Sequence, residues 1–198
     1  MFQVRIHGRG GQGVVTAAET LSVAAFDEGR HAQAFPSFGS ERTGAPVVAF
    51  CRIDDREIRL REPIMEPDAL IIQDPTLLHQ VDVFAGLKRD GYILINTSRS
   101  FEALGLGEFV RGCRPERLCT VPATEISLRH LGRSLPNVPL LGGFAALSGL
   151  IQLESVAKAI RERFPAKVAE GNVVAAGEAF DVVRAEMAAT LAKEPGHA

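Results

Sequence analysis

The sequence predicts an α/β protein with a doubly wound, mostly parallel sheet, an added β-hairpin and C-terminal helices. Three observations support this fold class. FQVRIH alternates apolar and polar residues as a strand does, and a glycine-rich loop and an amphipathic helix follow it. DALIIQD and GYILINT have wholly apolar centres, which is typical of parallel strands buried on both faces.

Local patterns predict the remaining elements. VVAFCRID and REIRLRE, on either side of Asp54 and Asp55, predict an antiparallel hairpin. Two further strands are predicted, at residues 31–35 and within LCTVPA. Apolar periodicity predicts helices at residues 14–28 with Gly29 as the C-terminal cap, at residues 77–87, around Ile126, at residues 140–150 and 153–164, and after Val173.

Composition limits the class of protein. The 198 residues, 46% hydrophobic and 23% charged, suit one globular domain over residues 1–198. A net charge of -2 argues against nucleic-acid binding, which needs a cationic surface. The longest apolar stretch, residues 138–151, is shorter than the roughly 20 residues of a membrane span, so a buried or interface helix and no membrane partner are expected.

The three cysteines and the first residues of the chain predict a cytoplasmic protein. The sequence begins directly with a strand pattern and lacks the basic and apolar regions of a signal peptide. Cys51, Cys113 and Cys119 are an odd number and form no C-x-x-C pair. We therefore expect reduced thiols and no metal or iron–sulfur ligands in this chain.

The glycine-rich loop is the first candidate site. A loop between a strand and a helix N-terminus presents free backbone N–H groups and the positive end of the helix dipole, and glycines let a phosphate or another backbone approach. Its candidate binding residues are Gly8, Arg9, Gly10, Gly11, Gln12 and Gly13.

A second polar loop is the next candidate. SFGSERTGAP follows the second predicted strand, and a loop of this length is more often functional than not. Ligands of open α/β sheets bind at the carboxyl ends of the strands, where both loops and the end of GYILINT are expected to lie. The candidate binding residues here are Ser37, Gly39, Ser40, Arg42, Thr43 and Asn96.

The spacing G-x-G-x-x-G also raises the alternative of a stand-alone Rossmann-like oxidoreductase that binds a dinucleotide. Such a site needs a carboxylate at the end of the second strand to hold the ribose. The predicted second strand ends in AFPSF, without an acid. No serine, histidine and carboxylate set has a recognisable catalytic spacing either, so no catalytic residue is predicted. A non-catalytic interaction module remains a third possibility.

The motifs together resemble the gamma chain or domain of the 2-oxoacid:acceptor oxidoreductases, the pyruvate:ferredoxin oxidoreductase superfamily. Thr43 departs from the pattern, because the family often has a second arginine there. The resemblance covers nearly the whole chain and rests on GRGGQGVVTAAE (8–19), AFPSFGSERTGAPV (34–47), PDALIIQDPTLL (67–78), ILIN (93–96) and NVPLLGGFAALSGL (137–150).

This resemblance implies a subunit of an enzyme that oxidatively decarboxylates a 2-oxo acid to an acyl-CoA. Thiamine diphosphate and Mg would lie on the partner alpha and beta subunits, and [4Fe-4S] clusters on partners that include a ferredoxin-like delta subunit. The present chain would bind no cofactor alone but would help to form the coenzyme A site at a subunit interface. Under this hypothesis the two loops contact either coenzyme A or the partner chains.

Overall fold

The computed structural model describes residues 1–37 and 43–193, which form a six-stranded mixed sheet with helices packed on it. The strands are β1 Phe2–Arg9, β2 His31–Pro36, β3 Pro46–Asp54, β4 Ala69–Ile72, β5 Tyr92–Asn96 and β6 Leu118–Val121. The helices are α1 Val14–Asp27, α2 Gly107–Val110, α3 Ala123–Leu131, α4 Asn137–Ser148, α5 Leu153–Arg163 and α6 Ala166–Lys193. Two short 3₁₀ helices cover Pro75–His79 and Pro115–Arg117.

The strand order β2-β3-β1-β4-β5-β6 confirms the predicted fold class. Strands β1, β4, β5 and β6 are parallel, with Val4 opposite Ala69 where β1 meets β4. Strand β3 is antiparallel to both of its neighbours, β1 and β2. The carboxyl ends of the four parallel strands therefore share one edge of the sheet, from which the glycine-rich loop leaves β1.

The added hairpin differs from the predicted one. VVAFCRID is β3, as expected, but REIRLRE forms no strand, and β2 is the strand that pairs with β3. The physical reason lies in the sheet: β1 and β2 occupy both edges of β3. A third segment has no backbone groups of β3 left to pair with, and five of the seven residues in REIRLRE are charged.

The prediction of a helix at residues 77–87 is also wrong. The chain forms the 3₁₀ helix Pro75–His79 there, followed by turns. The buried guanidinium of Arg5 accounts for this, because it donates to the backbone oxygens of Val83 (3.0 Å) and Ala85 (2.6 Å). Carbonyl groups turned towards Arg5 do not continue a helical ladder.

The main hydrophobic core lies between the sheet and helices α1, α4, α5 and α6. Helix α4 is its centre, and every residue from Asn137 to Leu147 is buried, as the apolar stretch predicted. A smaller cluster around Ile72, Leu77 and Ile95 covers the opposite face of the sheet. The remaining C-terminal helices are present where predicted, but α4 spans Asn137–Ser148 and not residues 140–150, and α6 begins earlier than predicted, at Ala166. Within the described ranges, no helix is both long and apolar enough to cross a membrane.

Candidate functional site

The glycine-rich loop turns from β1 into α1 through two left-handed residues. Gly11 has φ +91° and Gly13 has φ +71°, a region that disfavours side chains. Gly13 is also the N-cap of α1, and a Cβ there would lie 2.5 Å from Asn137 Nδ2 on α4. The Gly13 carbonyl accepts a hydrogen bond from that same amide (3.3 Å), so the loop is locked onto the first residue of α4.

The N-terminus of α1 offers a cleft suited to an anion. Its N-cap is a glycine without a side chain, and its first turn contains no acidic residue, so α1 itself supplies no negative charge to offset its dipole. Among the described residues, no heavy atom outside its chain neighbours lies within 4 Å of a Cβ built on Gly11, so this part of the structure leaves the loop open at that point. The cleft has a volume of about 240 Å³ and is lined by Arg9, Gly11, Gly13, Val14, Val15 and Thr16.

Arg9 and Gln12 are engaged within the chain. The Arg9 guanidinium pairs with Asp74 (Nε to Oδ2, 3.0 Å) and also donates to the backbone oxygen of Gly44 (3.0 Å). The Gln12 carboxamide accepts from the Arg9 backbone N–H (2.8 Å) and donates to Asp74 (2.9 Å). Both side chains therefore hold the loop in place.

The structure joins the start of the second candidate loop to the glycine loop. Gly10 donates to the oxygen of Ala45 (2.9 Å), accepts from the N–H of Gly44 (3.0 Å) and forms a bridge with Thr43. Ser37 is exposed just after β2. The other three candidates of this loop, Gly39, Ser40 and Arg42, lie outside the described residues.

Asn96 lies at the carboxyl end of β5, as expected, but it is not among the residues that line the cleft. Its Nδ2 donates to the backbone oxygen of Gln73 and to Thr124 Oγ1, both at 2.8 Å. Its Oδ1 accepts from the Thr124 N–H in the first turn of α3 (3.0 Å). With both amide hydrogens used, Asn96 ties β4 and β5 to α3.

Sequence reasoning missed Asp74, which is the centre of the polar network behind the loop. Burial alone would raise the pKa of its carboxyl, but hydrogen bonds from Thr76 and Gln12 and the charge of Arg9 lower that pKa below its ordinary value. The available signal was its position, since an acid directly after a buried strand lies at the carboxyl edge of the sheet. Among the residues that the structure describes, no group of three or more histidine, cysteine or acidic side chains is placed to hold a metal ion.

The sheet order also differs from that of a dinucleotide site. In such sites the second strand lies next to the first, so that its terminal carboxylate reaches the ribose. Here β3 separates β2 from β1. The end of β2 therefore lies two strands away from β1, which disfavours the Rossmann alternative.

Comparison with known proteins gives consistent matches along the chain. The sequence model of the family described as pyruvate ferredoxin/flavodoxin oxidoreductase matches residues 3–182. A pyruvate/ketoisovalerate oxidoreductases common subunit gamma from Pyrococcus abyssi is 49% identical over 181 residues, which cover 91% of this chain and 96% of that protein.

Solved structures agree in fold. The crystal structure of pyruvate oxidoreductase subunit PORC from Thermotoga maritima has a TM-score of 0.74 and 36% identity, covering 91% of this chain and 95% of that one. A 2-oxoglutarate:ferredoxin oxidoreductase from Magnetococcus marinus, solved with 2-oxoglutarate, coenzyme A and succinyl-CoA bound, has a TM-score of 0.71 and 18% identity. It shares the fold over 95% of this chain, which corresponds to 31% of the larger protein.

Proposed function

The chain belongs to the pyruvate ferredoxin/flavodoxin oxidoreductase family, and we propose that it is the gamma subunit of a multi-subunit 2-oxoacid:acceptor oxidoreductase. The complex would convert a 2-oxo acid and coenzyme A into an acyl-CoA and CO₂ and pass the electrons to ferredoxin or another acceptor. The observation that carries this proposal is the match to a gamma subunit over 91% of the chain and 96% of that relative.

The partner chains would supply the redox and carbanion chemistry. Thiamine diphosphate and Mg are assigned to alpha and beta subunits, and [4Fe-4S] clusters to partners that include a ferredoxin-like delta subunit. We assign no catalytic residue to the present chain. We place the complex in the cytoplasm, where free cysteines such as Cys51, Cys113 and Cys119 stay reduced. The relative from Pyrococcus abyssi is named as common to two oxidoreductases, which supports assigning substrate choice to the partner chains.

The cleft at α1 is our proposed contribution to the coenzyme A site. Coenzyme A carries phosphates. A helix N-terminus without acidic residues of its own, whose backbone N–H groups a ligand can approach closely, suits such groups. The backbone N–H groups of Gly11, Gly13, Val14 and Val15 would hold a phosphate, while Arg9 and Gln12 keep the loop in shape. The neighbouring loop, with Ser37, Gly39, Ser40, Arg42 and Thr43, would contact either coenzyme A or a partner chain.

The proposal predicts that the isolated chain is inactive. Without partner subunits it should oxidise no 2-oxo acid above background, even with thiamine diphosphate and coenzyme A present. Affinity purification from its native cells should recover a thiamine-binding partner, and the recovered complex should be active. Turnover by the single chain would instead support a stand-alone oxidoreductase, and recovery without any thiamine-binding partner would support a non-catalytic module.

A substitution at Gly13 tests the cleft itself. Gly13→Ala adds a methyl group at φ +71° and against Asn137 Nδ2, so either the loop or the Asn137 side chain that holds it has to move. We expect the KM for coenzyme A of the assembled enzyme to rise about tenfold or more, which corresponds to about 1.4 kcal/mol.

Gly29→Ala is the matched control for this test. Gly29 has φ +78° at the other end of α1, and a Cβ there meets no atom of residues 1–37 or 43–193 within 4 Å. It introduces the same backbone strain away from the cleft, so the KM should not change. Equal KM values for both variants and the wild type would remove the cleft from the coenzyme A site.

A further inference from the structure

The carboxylate of Asp74 accepts hydrogen bonds from three residues in two parts of the chain. Its Oδ2 accepts from Arg9 Nε (3.0 Å) and from Gln12 Nε2 (2.9 Å), both in the glycine-rich loop. Its Oδ1 accepts from the backbone N–H of Thr76 (3.0 Å), which begins the 3₁₀ helix. The side chain is only 14% exposed, so these bonds are partly shielded from water.

Arg9 extends this network to the second candidate loop. Its Nη1 donates to the Gly44 oxygen (3.0 Å), and its Nη2 donates to Thr76 Oγ1 (2.7 Å) and Gln80 Oε1 (2.9 Å). The guanidinium therefore joins β1, the segment after residue 42 and the chain after β4. Asp74 is the carboxylate that pairs with it and sets its orientation.

The same network determines the shape of the glycine loop. Gln12, held by Asp74, folds back so that its Oε1 receives the Arg9 N–H (2.8 Å), while the Gln12 N–H donates to the Arg9 oxygen (3.0 Å). Gly10 is paired on both sides with residues 44 and 45. These bonds use the backbone N–H groups of residues 9, 10 and 12. The open face of the loop therefore consists of Gly11 and the residues from Gly13 onward.

We infer that Asp74 is a positioning residue of the glycine loop: its carboxylate holds Arg9 and Gln12 so that the cleft at α1 is formed before a ligand arrives. It also sets the charge at the cleft, because Arg9 lines one wall and Asp74 balances it. The part of this inference that concerns coenzyme A rests on the proposed function, and the part that concerns the order of the loop does not.

Two opposing effects are expected when the carboxylate is lost. A released Arg9 guanidinium would attract an anion, but a charge at a solvent-exposed cleft contributes little to binding. The lost charge-assisted hydrogen bonds are stronger than such an exposed attraction, and they order the loop. Loss of order should therefore dominate, and the ligand should bind more weakly.

Asp74→Asn tests this with little change in shape. Asparagine keeps an oxygen that can accept from the Thr76 N–H, but its amide group faces the donors of Arg9 and Gln12. In the full chain, we expect the amide hydrogens of Gly10, Gln12 and Gly44 to exchange about tenfold faster or more, measured by NMR. Asp74→Glu retains the negative acceptor and should restore most of the protection.

Asp90→Asn is the matched control, because Asp90 pairs with Arg114 at 2.7 Å on a different loop. It should leave those three amides unchanged. Unchanged exchange in Asp74→Asn would overturn the inference.

In the assembled enzyme, Asp74→Asn should raise the KM for coenzyme A about tenfold and change kcat less than twofold. A lower KM would overturn the inference, because Asp74 would then act mainly by restraining the charge of Arg9. Faster exchange with an unchanged KM would support Asp74 as the positioning residue of the loop, and it would contradict the proposed role of the cleft in binding coenzyme A.

Discussion

Gly142→Ala should destabilise the chain by at least about 3 kcal/mol, the upper end of the usual overpacking cost. A Cβ on Gly142 would lie 2.0 Å from the carbonyl oxygen of Ala176, so α4 and α6 are in backbone contact there. A backbone atom cannot rotate away as a side chain can, and the two helices would have to separate. The free energy of unfolding, measured by urea titration of the full chain, checks this.

Two other glycines provide a graded control. A Cβ on Gly143 would meet the side chain of Val183 at 3.2 Å, which can give way, so Gly143→Ala should cost less. A Cβ on Gly177, within α6, meets no atom within 4 Å in the part of the chain that the structure describes. Gly177→Ala should therefore stabilise the chain by about 0.5–1 kcal/mol through helix propensity. If all three variants had similar stability, the close contact of α4 with α6 would be wrong. If Gly142→Ala did not fold at all, its soluble yield would rank the series in the same order.

Much of the fold could be predicted because single segments carry the pattern. The alternation in FQVRIH and the apolar centres of DALIIQD and GYILINT identify strands without knowledge of their neighbours. REIRLRE misled for the same reason. Its alternation resembles a strand, but pairing depends on a free edge of β3, and other strands occupy both edges.

The candidate site could be predicted in part. The glycines of the loop are a local signal, and they do form the turn before α1. The role of Asp74 was not visible, because its partners Arg9 and Gln12 lie more than 60 residues earlier in the chain. Asn96 was found by its position at the end of a strand, yet its amide is used within the chain. A residue's place at the end of a strand thus predicts that it lies at the carboxyl edge of the sheet. Which groups its side chain contacts depends on the tertiary fold.

His7 should make the stability of the chain sensitive to acid. The imidazole is buried beside Arg5, whose Nε donates to His7 Nε2 (3.1 Å). Neutral His7 then carries its proton on Nδ1, for which no partner is found among the described residues. Burial, and secondarily the charge of Arg5, lower the pKa of His7 to about 4.

The sign of the effect follows from this lowered pKa. Between the unfolded value near 6.5 and the folded value of about 4, the unfolded chain binds a proton that the folded chain does not. The free energy of unfolding should therefore fall as the pH is lowered through this window, by about 1.4 kcal/mol per pH unit and by about 3 kcal/mol over the whole window. Above pH 6.5 this contribution is constant.

Urea unfolding at pH 7.5 and pH 5 measures the effect when wild type and His7→Gln are compared. Glutamine stays neutral and can still accept from Arg5, so the variant should lose about 2 kcal/mol less between the two pH values. His31→Gln is the control, because His31 is exposed at the start of β2, and this variant should keep the acid sensitivity of the wild type. If His7→Gln lost as much stability as the wild type, a group other than His7 would cause the acid sensitivity, and the buried neutral imidazole would be the wrong explanation.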